Sequence, residues 1–192
     1  MIKYRLFASF VSILVVVNSY GQTKYEKESR LKRNNIPLQA KAFIDSLGFD
    51  KKVKWYFEES LIGKSIEAKT NFNKEKYSIE FDTAGILQDV EIEIDWHKVP
   101  IETQKNISNY LATVFSNYQF IKIQVQFTGK PQDLLQYLKK ITIEKTFTTR
   151  YEIVVKGKKQ GKRDWYEITF SEAGNFESIS KIIFRNTDNL EY

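Results

Sequence analysis

The nine residues "YSIEFDTAG" (77–85) and "YEITFSEAG" (166–174) decide how this chain is read. Five of the nine positions are identical, Tyr77/Tyr166, Ile79/Ile168, Phe81/Phe170, Ala84/Ala173 and Gly85/Gly174, and the copies lie 89 residues apart. Tyr, Ile and Phe alternate with polar residues, the period of a strand with one buried face, and the glycine supplies a turn. The phrase therefore marks the same hairpin written twice.

Working outward, each copy has the same neighbours in the same order. "IPLQAKAFIDSLG" carries Ala40, Phe43, Ile44 and Leu47 at helical spacing between Pro37 and Gly48, which predicts a short amphipathic helix. Val53, Trp55 and Phe57, then Ile66, Ala68 and Thr70, then the Tyr77 phrase, then Val90, Ile92 and Ile94 predict four strands. The order restarts at Pro100, with a helical stripe of Ile107, Tyr110, Leu111, Val114, Phe115 and Tyr118. Strands follow in "FIKIQVQFTG", "RYEIVVKG", the Tyr166 phrase and "FESISKIIF". The prolines are 63 residues apart and the phrases 89, so the second half carries about 26 extra residues, most of them in "KPQDLLQYLKKITIEKTF". Leu134, Leu135 and Leu138 predict a short inserted helix near 131–140.

The expected fold is α+β: two tandem units, each a short helix packed on a four-stranded antiparallel sheet, with the sheets side by side. The first unit covers 34–95 and the second 96–187, and 188–192 is a tail. The second face of each sheet is expected to be polar and open.

"MIKYRLFASFVSILVVVNSYG" (1–21) has the build of a secretory signal peptide: Lys3 and Arg5, an apolar run from Leu6 to Val17, and small Ser19 and Gly21 before a cut. The run is too short to span a membrane, which takes about 20 apolar residues. Its removal takes the formal charge from +6 to +4 and places the protein in the periplasm or outside the cell. The polar segment 22–33 is expected to be a flexible lead-in. Cysteine is absent, which excludes disulfides, thiol catalysis and thiolate metal sites.

The residues Pro37, "VKWYFEE", "KYSIEFDTAGILQDVEIE", "HKVP", "KIQVQFTG" and "YEIVVKGKK" resemble the PepSY-like, β-lactamase-inhibitor-like exported proteins, in order and over most of the mature chain. The resemblance implies tandem α/β units with helices behind and a concave front, and a non-catalytic binding or inhibitory role toward peptidases. It carries over no functional residue. The insertion near Pro131 departs from the minimal repeat and leaves the second sheet's strand order open.

Motifs for catalysis are missing. His97 is the single histidine, and no nucleophile elbow, phosphate loop or dinucleotide fingerprint occurs. A hydrolase built on His97 is the least supported of three functional readings, and no cofactor is expected. In "DVEIEIDWH", Asp89, Glu91, Glu93 and Asp95 fall on one strand face, joined by Glu80 and Asp82 of the preceding strand. Such an acidic ladder is either a solvated face, a surface for a cationic partner, or a Ca²⁺ site on Asp89, Glu91 and Glu93. Lys156, Lys158, Lys159, Lys162 and Arg163 surround a hairpin tip, as a solvated tip or an attraction for acidic surfaces; nucleic acid is not expected for an exported chain. Tyr56 and Trp165 alternate with buried neighbours and face outward, either as anchors for a partner or as covers over adjacent strands. The leading expectation is a protein or peptide partner in the cell envelope, bound on the open sheet face through Tyr56, Trp165 and the acidic ladder. The alternative is a small-ligand or Ca²⁺ module.

Overall fold

The computed structural model describes residues 22–49, 52–61, 63–141 and 144–183; the expected signal peptide and the tail lie outside them. Among these residues there are three α-helices, α1 (Leu38–Leu47), α2 (Ile101–Val114) and α3 (Pro131–Leu138). One mostly antiparallel sheet holds ten strands. They are β1 (Gln22–Lys24), β2 (Glu26–Arg30), β3 (Lys54–Ser60), β4 (Lys64–Phe72), β5 (Glu75–Asp82), β6 (Leu87–Glu93), β7 (Asn117–Thr128), β8 (Thr148–Lys159), β9 (Lys162–Ser171) and β10 (Phe176–Ile182).

Each long helix starts behind a proline with its φ near the helical value, Pro37 at −59° and Pro100 at −56°. Helix α1 stops where Gly48 takes a left-handed φ of 67°. Ala40 and Ile44 on α1, and Thr103, Ile107 and Leu111 on α2, recur every four residues and face the sheet. Two apolar clusters result. Helix α1 covers Ile66, Ala68, Ile79, Phe81 and Val90, and α2 covers Ile123, Ile153, Val155, Ile168 and Phe170. Ile94 and Val125 touch both. Full burial of Phe81 and Phe170 contributes about 1.5–3 kcal/mol each. The inserted helix α3, although it lies in the second half of the chain, adds Leu134 to the first cluster.

The repeated phrase forms β5 and β9 with the turns that follow them. In both copies the terminal glycine presses on the helix three residues past its proline. Gly85 (φ 89°) leaves no room for a Cβ, which would lie 2.6 Å from Pro37 Cβ and 3.0 Å from the Ala40 nitrogen. At Gly174 (φ 82°) it would lie 2.7 Å from the Thr103 carbonyl oxygen and 3.1 Å from Asn106 Cβ. Asn106 Nδ2 donates to the Ala173 carbonyl at 2.9 Å, and Thr103 Oγ1 to that of Glu172 at 3.1 Å. Gly85→Ala combines left-handed strain with overpacking and should cost about 3 kcal/mol. Thermal denaturation should show Tm lowered by about 6–12 °C for a chain of this size; an unchanged Tm would mean the hairpin does not bear on the helix.

The two four-stranded sets do not stand as separate sheets. Strand β6 pairs with β7, Val90 opposite Phe127 and Ile92 opposite Val125. The sheet then meets itself. Strand β1 pairs in parallel with β10 at one end of the order, and β2 pairs antiparallel with β3 at the other, with Tyr25 alone between them. Two peptide units span at most about 7.6 Å, so the two edges are brought together by one N-terminal strand. Backbone bonds hold it on both sides: Ile183 N to Lys24 O at 3.0 Å, and Leu31 N to Trp55 O at 3.0 Å. The expected flexible lead-in 22–33 is thus corrected: its polar residues pair along both edges, where backbone groups rather than an apolar period supply the bonds. The expected open face is corrected with it, because this strand closes the sheet into a barrel with helices outside and a polar lumen.

Candidate functional site: a carboxylate-lined lumen

Alternation puts the apolar residues of every strand under the helices and their neighbours into the lumen. The register aligns Glu58 with Ser65, Tyr56 with Glu67, Glu67 with Glu80, and Glu80 with Asp89. Two and three strands beyond β6, on the far side of β7, Glu152 and Glu167 arrive from β8 and β9. Glu58, Glu80, Asp89, Glu91, Glu152 and Glu167 all line one cavity of about 380 Å³. Among the described residues, only Lys24 and Lys64 bring positive charge to its wall.

Lys24 comes from the closing strand. Its Nζ donates to Glu167 Oε1 and Oε2 at 2.6 and 2.7 Å and lies 3.9 Å from Glu152 Oε1. The remaining carboxylates are less well served. Gln124 Nε2 donates to Glu91 Oε2 at 2.8 Å, and Gln126 Nε2 reaches Glu91 Oε1 at 3.3 Å and Asp89 Oδ2 at 3.4 Å. Among the described residues, Asp89 Oδ1 is buried without a hydrogen-bond partner. Oxygens of Glu80, Asp89 and Glu91 lie within 4.8 Å of one another.

Confinement makes these groups hard to ionise. Burial pushes Glu80 up to about 9, helped by the charges of Asp89, Glu58, Glu67 and Glu152. Burial likewise raises Glu91 to about 8, with Asp89 and Glu80 adding and Lys122 and Lys24 opposing. Asp89 rises to about 6 through burial, held back by Lys24. Glu152 and Glu167 each rise to about 7, burial again leading and Lys24 again opposing. Glu67 is the exception. Burial alone would raise it, but hydrogen bonds from Glu58, Lys69 and Ser78 and the Lys69 charge hold it below the usual range.

The structure brings part of the expected ladder together and separates the rest. Glu80, Asp89 and Glu91 do converge, but Glu93 lies farther along, paired with Lys76 at 2.7 Å. The expected metal trio Asp89, Glu91, Glu93 is replaced by Glu80, Asp89 and Glu91. Asp95 leaves the face because β6 ends at Glu93 and a 3-10 turn, Trp96–Lys98, begins. Asp82 is occupied in its own turn, where Oδ1 accepts from the nitrogens of Ala84 and Ile86 at 2.9 and 2.8 Å. Glu152, Glu167 and Lys24 lie outside the residues expected from the sequence; alternation in "YEIVV" and "WYEITF" signals the two acids, whereas Lys24 has no signal.

Tyr56 and Trp165 both face the lumen side, on β3 and β9. Tyr56 lines a second cavity of about 430 Å³, with Arg30 and Lys69 each 5.1 Å from its ring centre. Trp165 sits opposite Lys156, whose Nζ is 6.0 Å from the ring centre, and it lines neither of these cavities. The structure thus separates the two aromatics expected to act together. The basic cluster divides likewise: Lys156 belongs to the lumen face, while Lys158, Lys159, Lys162 and Arg163 are exposed around the Gln160–Gly161 turn. His97 is exposed in the 3-10 turn, and no side chain hydrogen-bonds to it among the described residues.

No protein-family model and no curated protein matches the chain. Solved structures do. A DUF2874 family protein from Bacteroides ovatus superposes with a TM-score of 0.51 at 10% identity, over 76% of this chain and 87% of that one. That likeness is one of fold. A BLIP-like protein from Bacteroides fragilis aligns with a TM-score of 0.46 at 17% identity, over 81% of this chain and 92% of its own. Among the described residues no helix is long and apolar enough to cross a membrane.

Proposed function

We propose that this protein is an exported, non-catalytic binding module that takes a basic segment of a protein or peptide into its carboxylate-lined lumen. One observation carries the reading. Six carboxylates share one cavity wall, and Lys24, a lysine side chain on an extended strand, already occupies one end of it in the geometry such a ligand would use. Glu80 receives no hydrogen bond among the described residues, and Asp89 Oδ1 is buried without one. A cationic side chain offers both what burial has taken from them. In this reading the two halves are copies of one PepSY-like unit, a relation supported by the matching glycine-on-helix joints at Gly85 and Gly174. Engagement of a peptidase, in an inhibitory role, is one form such binding takes in the cell envelope.

The probe is a fluorescein-labelled peptide, Gly-Ser-Gly-Arg. Anisotropy should rise on titration with the protein at pH 8 and low salt. Glu80→Gln together with Glu91→Gln should weaken binding by about tenfold or more, the loss of at least one charged hydrogen bond. Equal affinity of the double variant would show that the peptide does not sit in the lumen.

A second reading is favoured by the 4.8 Å convergence of Glu80, Asp89 and Glu91. Ca²⁺, with oxygen ligands at about 2.3–2.6 Å, spans such a trio. A rise in Tm with CaCl₂, abolished by Asp89→Asn, would favour it over the peptide.

A further inference from the structure

The second cavity, about 430 Å³, adjoins the first but has the opposite charge. Lys52, Lys54, Lys69, Lys76 and Lys122 line it, against the two carboxylates of Glu67 and Glu93. Those carboxylates are already committed, Glu67 to Lys69 at 2.7 Å and Glu93 to Lys76 at 2.7 Å. Lys52, Lys54 and Lys122 make no ion pair among the described residues. Lys54 stands directly opposite Lys69 in the β3–β4 register; Lys69 is held by Glu28 at 2.6 Å and Glu67 at 2.7 Å, whereas Lys54 faces the cavity with no carboxylate of its own among the described residues. Gln124 joins the two cavities: it lines the positive one and donates to Glu91 of the negative one at 2.8 Å. Lys122 is two residues from Gln124 on the same face of β7, about 6.6 Å along the strand. One side chain covers that step.

We propose that the lysine-lined cavity is a carboxylate subsite, and that the ligand of the lumen is a peptide ending in a basic residue. Its side chain enters among Glu80, Asp89 and Glu91, while its own terminal carboxylate meets Lys54 and Lys122. This assignment rests on the cationic-ligand reading above and adds to it a direction and an end. An internal basic segment of a protein would fill the acidic cavity alone and bring no counter-ion to Lys54 and Lys122.

The test compares Gly-Ser-Gly-Arg with a free C-terminus and the same peptide amidated, on the unaltered protein and on the Lys54→Gln/Lys122→Gln variant. The free acid should bind about tenfold tighter than the amide, and the two should become equal in the variant. Equal affinities on the unaltered protein, or a tighter amide, overturn the carboxylate subsite and leave the cationic reading standing. A difference that survives in the variant overturns its assignment to these lysines. Binding of neither peptide overturns both readings.

Discussion

Raising the pH from 5 to 9 should lower Tm by about 10 °C or more, an unusual direction for a protein with many carboxylates. The sign follows from proton linkage. Glu80, Glu91, Glu152, Glu167 and Asp89 have folded-state values of about 9, 8, 7, 7 and 6, all above their ordinary 4.5 or 3.8. Between about pH 4 and 9 the folded chain therefore holds protons that the unfolded chain has released. Stability is fully present below the ordinary carboxylate range and is lost as the pH climbs through each raised value. A carboxyl whose pKa stands one pH unit higher in the folded chain contributes about 1.4 kcal/mol, and each kcal/mol moves Tm by about 2–4 °C at this size. Five groups contributing that much apiece already exceed 10 °C. Thermal scans from pH 5 to 9 at fixed salt check it, and Glu80→Gln with Glu91→Gln should flatten the profile. A Tm that rises across this range would mean the lumen carboxylates are ionised and well paired.

Lys24→Met should cost about 3 kcal/mol at pH 8 and little at pH 5. Lys24 Nζ is the cation beside Glu152 and Glu167, whose side chains are 11% and 13% exposed. Removing one partner of a buried pair leaves uncompensated charge and costs about 3–5 kcal/mol; the Lys24 side chain is 28% exposed, which sets the lower figure. At pH 5 both carboxyls are protonated, and little charge is left for the lysine to balance. Denaturant unfolding at the two pH values separates this electrostatic role from packing, because methionine keeps the stem and a packing loss would be the same at both. The same variant should loosen the closing strand, read as faster hydrogen exchange at Ile183, whose nitrogen bonds to Lys24 O.

Much of the fold is legible in the sequence because it is written in apolar periodicity. Tyr77, Ile79 and Phe81 alternate, Ile107 and Leu111 recur at helical spacing, and Pro131 with Leu134, Leu135 and Leu138 announces α3. The closure of the barrel is not legible. Strands β1 and β2 are held by backbone pairing and by Lys24, and polar residues on an edge strand carry no apolar signature. For the same reason the inner face looks open from the sequence. The site is half legible: alternation places Glu80, Asp89 and Glu91 together, since β5 and β6 are joined by a short turn. Glu152 and Glu167 come from β8 and β9, two and three strands beyond β6, and the β6–β7 pairing that joins the two halves into one sheet brings them alongside. Local chemistry misleads at Asp82, whose carboxylate is the natural acceptor in its own turn. It misleads again at Asp95, where the 3-10 turn at Trp96 ends the alternation.

In the proposed function a cationic side chain enters this lumen and takes up the charge its carboxylates cannot otherwise carry. Such an entry must drive protons off Glu80, Glu91 and their neighbours, because at neutral pH the buried acids hold protons that a bound cation replaces. Calorimetric titration of the protein with Gly-Ser-Gly-Arg at pH 7, in two buffers of different ionisation heat, counts those protons directly. About one proton should be released per peptide bound, and the affinity should therefore fall from pH 7 to pH 5, where protons compete for the same carboxylates. Binding that releases none, with the same heat in both buffers, would place the peptide elsewhere and contradict the claim.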